Sequence, residues 1–500
     1  MDYANTYEAK KRSLKRKGCM IAVANNRRKP RKSRGRLKWI ILLEVGILVL
    51  LFGTYYMITT LNKDPKTVGE VKNNTENDSP GDNKSQPDPK ETLTPEQKEA
   101  LAEQERLQKE AAEREELIAQ ARRLTLSYDY DGAIEMIKGY QGKEGGYQVY
   151  PVLTKAITDI EAEKASLVLY GGSYDSVTQF NHVFFHSLIA DNSLAFDGDY
   201  DAAGYNMYMT TIYEFKQMMQ EMYEDGYILI SIHDIAKEVT LEDGSKVFKA
   251  QEIYLPPGKK PFVLSQDDVN YYDYMEGDGF ATRLVIGEDG KVTCEMKLQD
   301  GTITYGAFDM VPIIDEFVEE HPDFSYRGAK GIIALTGYEG ALGYRTNDPT
   351  SPTYEQDKQT AKAVADAMKA NGWEFASHSW GHKNMQTRTF AQVETDAKRW
   401  RDEVEPITGP TDILIFPYGV DIETTMGHYS SDKFAMLKEM GFDYYCGVNK
   451  GPWMHIKEDY VRMTRRPLDG QAMLQFPERL TDLFDDLSKI IDPERPARDW

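Results

Sequence analysis

The sequence predicts an α/β protein: a distorted (β/α) barrel, preceded by a transmembrane helix and an α-helical stalk. Three observations predict it. From about residue 167 onward, short apolar and β-branched runs alternate with amphipathic helical stretches, the pattern of a parallel sheet or barrel. Four of those runs end in polar or reactive residues (HVFFHSL, PFVLSQDDV, EFASHSWGH and DILIFPYG), as strands do at the reactive rim of a barrel. Ahead of them stands a 23-residue, largely apolar run with a basic segment on its N-terminal side.

That run, residues 39–61, is long enough to span a bilayer as a helix. Trp39, Tyr55 and Tyr56 suit its interfaces. Residues 1–38 carry 14 Lys and Arg against two acids, whereas the formal net charge of the whole chain is −21, so everything beyond the run is strongly acidic. This asymmetry predicts a cytoplasmic N-terminus and an extracytoplasmic bulk, at a cell membrane and in a single pass. Topology and anionic lipid account for the basic tail, and no nucleic-acid partner is expected. Residues 62–93 are rich in Asn, Asp, Lys, Pro and Ser, cannot bury a core, and read as a disordered linker with a span of roughly 30 Å. Residues 94–166 read as an α-helical stalk, a helix pair of the tetratricopeptide kind. It opens on Thr94 as N-cap with Pro95 at the first position and serves as a spacer, a cap or a protein-binding module. Three scattered cysteines, Cys19, Cys294 and Cys446, give no disulfide framework and no cysteine metal site.

The large domain is expected over residues 167–480, with a C-terminal tail at 481–500. Its candidate strands are 167–170, 183–185, 228–232, 262–265, 332–335, 375–377, 413–416 and 444–448. Its candidate helices are 212–225, 311–321, 360–371, 391–404 and 431–440. Residues 273–310 break the alternation and look like a β-hairpin insertion.

The chemistry lies in the strand endings. His378 and His382 stand four residues apart, a spacing that lets both imidazoles reach one ion, and Gly381 favours a loop for them. One carboxylate would complete a three-ligand catalytic metal site. Asp267 and Asp268 offer it: adjacent side chains on a strand diverge, so one can ligate while the other acts as a base.

These endings resemble the NodB-like polysaccharide deacetylases, carbohydrate esterase family 4. Ser265-Gln266-Asp267-Asp268-Val269 is similar to that family's T-F-D-D-G motif. His378–His382 matches H-[ST]-x-x-H, and Phe416-Pro417-Tyr418-Gly419 matches R-x-P-Y-G without its arginine, whose place Ile415 takes. HVFFHSL resembles the L-M-Y-H-x-[IL] opening of a permuted subgroup. The resemblance covers about residues 180–470. It implies a metal-dependent hydrolase that removes N-acetyl groups from the amino sugars of a cell-surface polysaccharide, of the peptidoglycan or poly-N-acetylglucosamine type. Asp268, His378 and His382 would hold one divalent ion, zinc first, with cobalt, nickel or manganese as alternatives. Asp267 would be the general base, His186 the general acid and the Tyr418 backbone N–H an oxyanion donor, with Pro417 and Trp380 against the substrate. His455 is the spare candidate for the acid, and Tyr271, Tyr272 and Trp453 are further stacking candidates. Gln266 and Val269 depart from the first motif, so the turn after the Asp pair must differ. A catalytically inactive glycan- or protein-binding relative, and an O-acetyl esterase, are the competing readings.

Overall fold

The computed structural model describes residues 94–142, 145–171, 180–424 and 427–498. The basic tail, the apolar run at 39–61 and the linker at 62–93 lie outside them. Among the described residues no helix is long and apolar enough to cross a membrane.

Seven parallel strands close into a ring: β1 (Asn181–Phe185), β2 (Lys260–Asp267), β3 (Ile332–Leu335), β4 (Glu374–Ser377), β5 (Ile413–Ile415), β6 (Tyr444–Val448) and β7 (Val461–Pro467). Each pairs with the next in chain order, and β7 returns to β1 through Arg466↔Val183 and Pro467↔Phe184. Strand β7 is absent from the sequence expectation, because three arginines in VRMTRRP mask its period-two pattern. The strand expected over 228–232 stops at Leu229. Tyr227–Leu229 pairs with the start of β2, bridges to Ser325 through Leu229 and stands off the ring, while Ser231 caps a short helix, Ile232–Ile235. The first expected strand shrinks to Val168–Leu169 and pairs with Tyr254–Leu255 outside the barrel.

Side-chain alternation sets the two faces of the ring. Phe262 and Leu264 of β2 join one apolar cluster with helices α5 (Met310–Glu320) and α6 (Tyr354–Ala370), whereas Val263 joins the cluster that holds Ile332, Ala334, Ala376, Ile413, Ile415, Tyr444, Cys446, Val461 and Met463. Those residues form the apolar lower interior of the barrel. The same parity carried upward gives Ser265 and Asp267 on β2 and Arg465 on β7, so the upper interior is polar.

Helix α1 (Pro95–Leu126) starts as its sequence predicts. Thr94 accepts from Gln97 N at 3.2 Å and Gln97 Oε1 accepts from Thr94 N at 2.9 Å. It is followed by α2 (Tyr130–Lys138) and α3 (Pro151–Lys164), three helices where a pair is expected. Ile134, Ile137, Leu153, Ile157 and Ile160 merge with the lower barrel interior into one cluster. Tyr128 Oη donates to Asp323 O (2.7 Å) and Arg327 N to Ser127 O (2.7 Å). The helices therefore cap the end of the barrel where the strands begin.

The remaining expectations hold with shifted bounds. Helix α4 (Ile212–Glu224) and helices α7 (Phe390–Glu403) and α8 (Asp432–Glu439) lie where the sequence places them, but α6 starts six residues early, at Tyr354, because YEQDKQ carries no apolar periodicity. The insertion is a three-stranded antiparallel sheet, Arg283–Ile286, Val292–Lys297 and Ile303–Gly306, and not a hairpin. The C-terminal segment is no loose tail: Leu483, Phe484 and Ile490 are buried in the main core. Cys294 and Cys446 are both free and buried.

At the capped end, His233 bridges two carboxylates, with Nδ1 2.5 Å from Glu374 Oε1 and Nε2 3.0 Å from Asp412 Oδ1. Burial acts to lower its pKa, but Asp412 and Glu374 outweigh that and raise it from 6.5 to about 10. A raised folded-state value means that the bridge stabilises fully below about pH 6.5 and ceases to do so as pH rises through about 10. The difference in Tm between the wild-type chain and His233→Gln should be widest on the acid side of that window and narrow towards its upper end. A difference that does not change with pH would show that the imidazolium charge contributes nothing.

Candidate active site

The rim opposite the helical cap gathers the predicted residues. Asp267 closes β2, and Asp268 begins the following turn with φ 62°. That left-handed conformation is costly for a non-glycine residue, and it turns Asp268 away from Asp267 towards His378 and His382. The loop after β4 carries two more such residues, Ser379 (φ 55°) and His382 (φ 47°), and Tyr418 after β5 a fourth (φ 59°). Asp396 of α7 pins the β4 loop by accepting from Trp380 N (2.7 Å) and Gly381 N (2.9 Å).

One ligand atom from each of Asp268, His378 and His382 lies within 4.8 Å of the others. His378 is buried, and its Nδ1 donates to the Ile415 carbonyl at 2.8 Å, which leaves Nε2 as the nitrogen facing the carboxylates. Burial lowers His382 from 6.5 to about 4, with Asp268 only partly opposing it, so the ring is neutral at pH 7 and offers a lone pair. Burial acts to raise Asp268, but His382 and His378 hold it below the usual carboxylate range. Tyr272 Oη donates to Asp268 Oδ1 at 2.6 Å and meets Thr336 Oγ1 at 2.9 Å, fixing the carboxylate from behind. Two imidazole nitrogens and one carboxylate fit a divalent ion of the zinc class.

Asp267 is held differently. Arg465 grips it with both ends of its fork, Nη1–Oδ1 2.6 Å and Nη2–Oδ2 2.9 Å, and both side chains are buried. Burial acts to raise this carboxyl, yet Arg465 and then His378 bring it well below its usual range. Arg465 Nη1 also donates to Ser265 Oγ (3.2 Å), which meets His182 Nε2 at 2.9 Å. The arginine missing from position 415 thus has a counterpart on β7. Sequence reasoning missed Arg465, although its parity with Val461 and Met463 was the available signal.

His186 follows β1, with its ring 5.8 Å from that of Phe184 and Nδ1 3.1 Å from the Tyr208 carbonyl. It lies near enough for its charge to act on Asp267, Asp268, His382 and Asp469. The spare candidate, His455, sits on the edge strand Met454–Ile456 opposite Arg462, beside Trp453. Tyr418 is 60 % exposed, with its ring 4.4 Å from that of His382, and Pro417 is buried beneath it. Trp380 stands apart from the substrate role expected of it. Arg399 lies 3.3 Å over its ring, Nε1 donates to Glu403 at 2.8 Å, and a Cβ on Gly337 would sit 2.3 Å from its Cδ1. Tyr271 is likewise committed, buried and bonded to Asp309 at 2.7 Å.

The polysaccharide deacetylase family profile matches residues 348–445, which include the His378–His382 loop and Tyr418. The chain carries a polysaccharide deacetylase domain. By that match the protein is a hydrolytic enzyme of the deacetylase class. A Streptococcus pyogenes deacetylase solved in complex with acetate is similar at 13% identity over 61% of this chain and 98% of its own, with a TM-score of 0.35. A Bacillus cereus polysaccharide deacetylase is similar at 14% identity over 63% and 69%, with a TM-score of 0.34. A Bacillus anthracis protein described as a polysaccharide deacetylase is similar at 13% identity over 61% and 68%, with a TM-score of 0.35. No curated protein matches the chain.

Removing Arg465 tests the buried pair directly. Arg465→Met leaves Asp267 enclosed without a cation and should cost roughly 3–5 kcal/mol of stability, read by urea unfolding. Adding Asp267→Asn should recover most of that loss, and a double variant as unstable as Arg465→Met alone would refute the pairing as its cause.

Proposed function

We propose that this domain removes N-acetyl groups from the amino sugars of a cell-surface polysaccharide, with a divalent ion held by Asp268, His378 and His382. The observation that carries the reading is a division of labour on one rim. A three-ligand cluster lies beside a carboxylate, Asp267, that stays ionised without belonging to it, and His186 is close to both. An ion in that cluster would polarise the acetyl carbonyl and bring the pKa of a coordinated water towards about 7. Asp267 accepts a proton from the attacking water, and Arg465 keeps that carboxylate charged and aimed. The Tyr418 backbone N–H supports the oxyanion, and Pro417 and the Tyr418 ring wall the site. His186 Nε2 protonates the departing amine nitrogen, which a bare amide cannot leave without. The two-imidazole, one-carboxylate set favours zinc and accepts cobalt, nickel or manganese. The opening β1 ending with His186 supports the permuted arrangement. The apolar run at 39–61 behind a basic tail supports an enzyme tethered to the membrane and working outside the cytoplasm on a polymer within short reach.

Elemental analysis of the full chain, together with turnover of N-acetylglucosamine oligomers, tests the proposal. His378→Ala should lose the bound metal. Asp267→Asn should keep it and lose at least about 100-fold in kcat. His186→Gln should lower amide cleavage by at least about 100-fold and spare an O-acetyl ester, whose leaving group needs no acid. A chain that takes up no divalent metal, or that turns over ester alone, would overturn the N-deacetylase reading.

A further inference from the structure

The corner that carries His186 is held by the far end of the chain. His186 Nδ1 meets the Tyr208 carbonyl, and a carbonyl only accepts. The proton of the neutral ring therefore sits on Nδ1, and Nε2 is the nitrogen left to gain and release one. The orientation of the imidazole depends on where that carbonyl stands.

Tyr208 ends a seven-residue helix, Ala202–Tyr208, whose N-cap residue Asp201 makes no capping bond and whose first N–H donates to Asp199 Oδ1 at 3.0 Å. Arg495, from the C-terminal segment, surrounds it. Nη1 donates to both Asn206 O and Asn206 Oδ1 at 2.9 Å, and Nη2 donates to Met209 O at 3.0 Å. Nε and Nη2 complete the set with the two oxygens of Glu214, at 2.5 and 2.6 Å. Arg495 and Glu214 have no exposed side-chain surface. All five guanidinium N–H groups are thus used, and those on backbone fall just before and just after Tyr208.

The neighbourhood adds two more grips. Thr210 Oγ1 donates to Leu468 O (2.6 Å), and Leu468 N donates to Phe184 O (3.1 Å), which ties the segment to β1, the strand that His186 follows. A Cβ on Gly470 would sit 1.9 Å from Asn206 O, so only glycine allows this approach. A pair whose sole task was stability would be replaceable by packed apolar side chains. A fork divided between one carboxylate and the carbonyls of Asn206 and Met209, on either side of Met207–Tyr208, fixes the position of a backbone.

We propose that Arg495 is a positioning residue for deacetylation, setting the Tyr208 carbonyl and through it the aim of His186. The inference rests on the reading of His186 as the general acid. It predicts that loosening the clamp lowers kcat while leaving substrate binding and the metal cluster alone.

The test compares Arg495→Met combined with Glu214→Gln, which leaves no unpaired buried charge, with His186→Gln and with all three changes together. Each is assayed in the full chain on N-acetylglucosamine oligomers, with kcat, KM, bound metal and Tm measured. The clamp variant should lose about tenfold in kcat with KM and metal unchanged, part of what a general acid contributes. It should cause no further loss in the His186→Gln background. A folded clamp variant with wild-type kcat, or a loss that multiplies with that of His186→Gln, overturns the clamp role and leaves the acid assignment standing. Wild-type kcat in His186→Gln alone overturns the acid assignment and the clamp role with it. Should the clamp variant not fold, Arg495→Lys keeps the charge against Glu214 but not the fork. An intermediate kcat at unchanged KM supports the proposal, and wild-type kcat rejects it.

Discussion

A guanidinium inside the barrel is what the site depends on. Arg465 cannot lose its charge, and it lies where water does not reach. Its presence demands a carboxylate, and Asp267 supplies one with both oxygens engaged. The demand is mutual, since an isolated aspartate at that depth would take up a proton and lose its charge. Two strands that neither touch in sequence nor pair with each other are thereby locked across the ring, and the carboxylate is kept charged at any working pH.

The rest of the site is arranged around that lock. Asp267 uses its oxygens on Arg465, the three-ligand cluster draws on Asp268, and a left-handed backbone there turns the two adjacent carboxylates apart. Tyr272 and Thr336 hold the second carboxylate, Ile415 holds His378, and Asp396 holds the loop between the imidazoles. Each partner comes from a different element, so the geometry belongs to the closed barrel and not to any one motif.

Much of this was legible in the sequence. Asp267, Asp268, His378, His382 and Tyr418 stand at strand ends, and polar residues that close apolar runs are visible without knowing what lies opposite. Strand β7 was not legible, because three arginines interrupt its apolar pattern, and the one that faces inward, Arg465, is satisfied by Asp267, some two hundred positions away. The off-ring place of Tyr227–Leu229 was hidden for a related reason: which strand takes which edge of β2 is decided by neighbours, not by its own residues. Trp380 looked free for a sugar because Arg399 and Glu403 reach it only once α7 packs over the loop. The C-terminal segment looked like a tail because its few apolar residues are spread between charges, of which Asp492 and Arg495 turn out to be buried partners.

A closed ring has no first strand. Because β7 lies against β1, the residue that opens the barrel and the residues that end it are neighbours in space, and His186 at the beginning shares a corner with Leu468 and Arg495 at the end. The order in which the strands are translated is therefore free to change without moving a single reacting group.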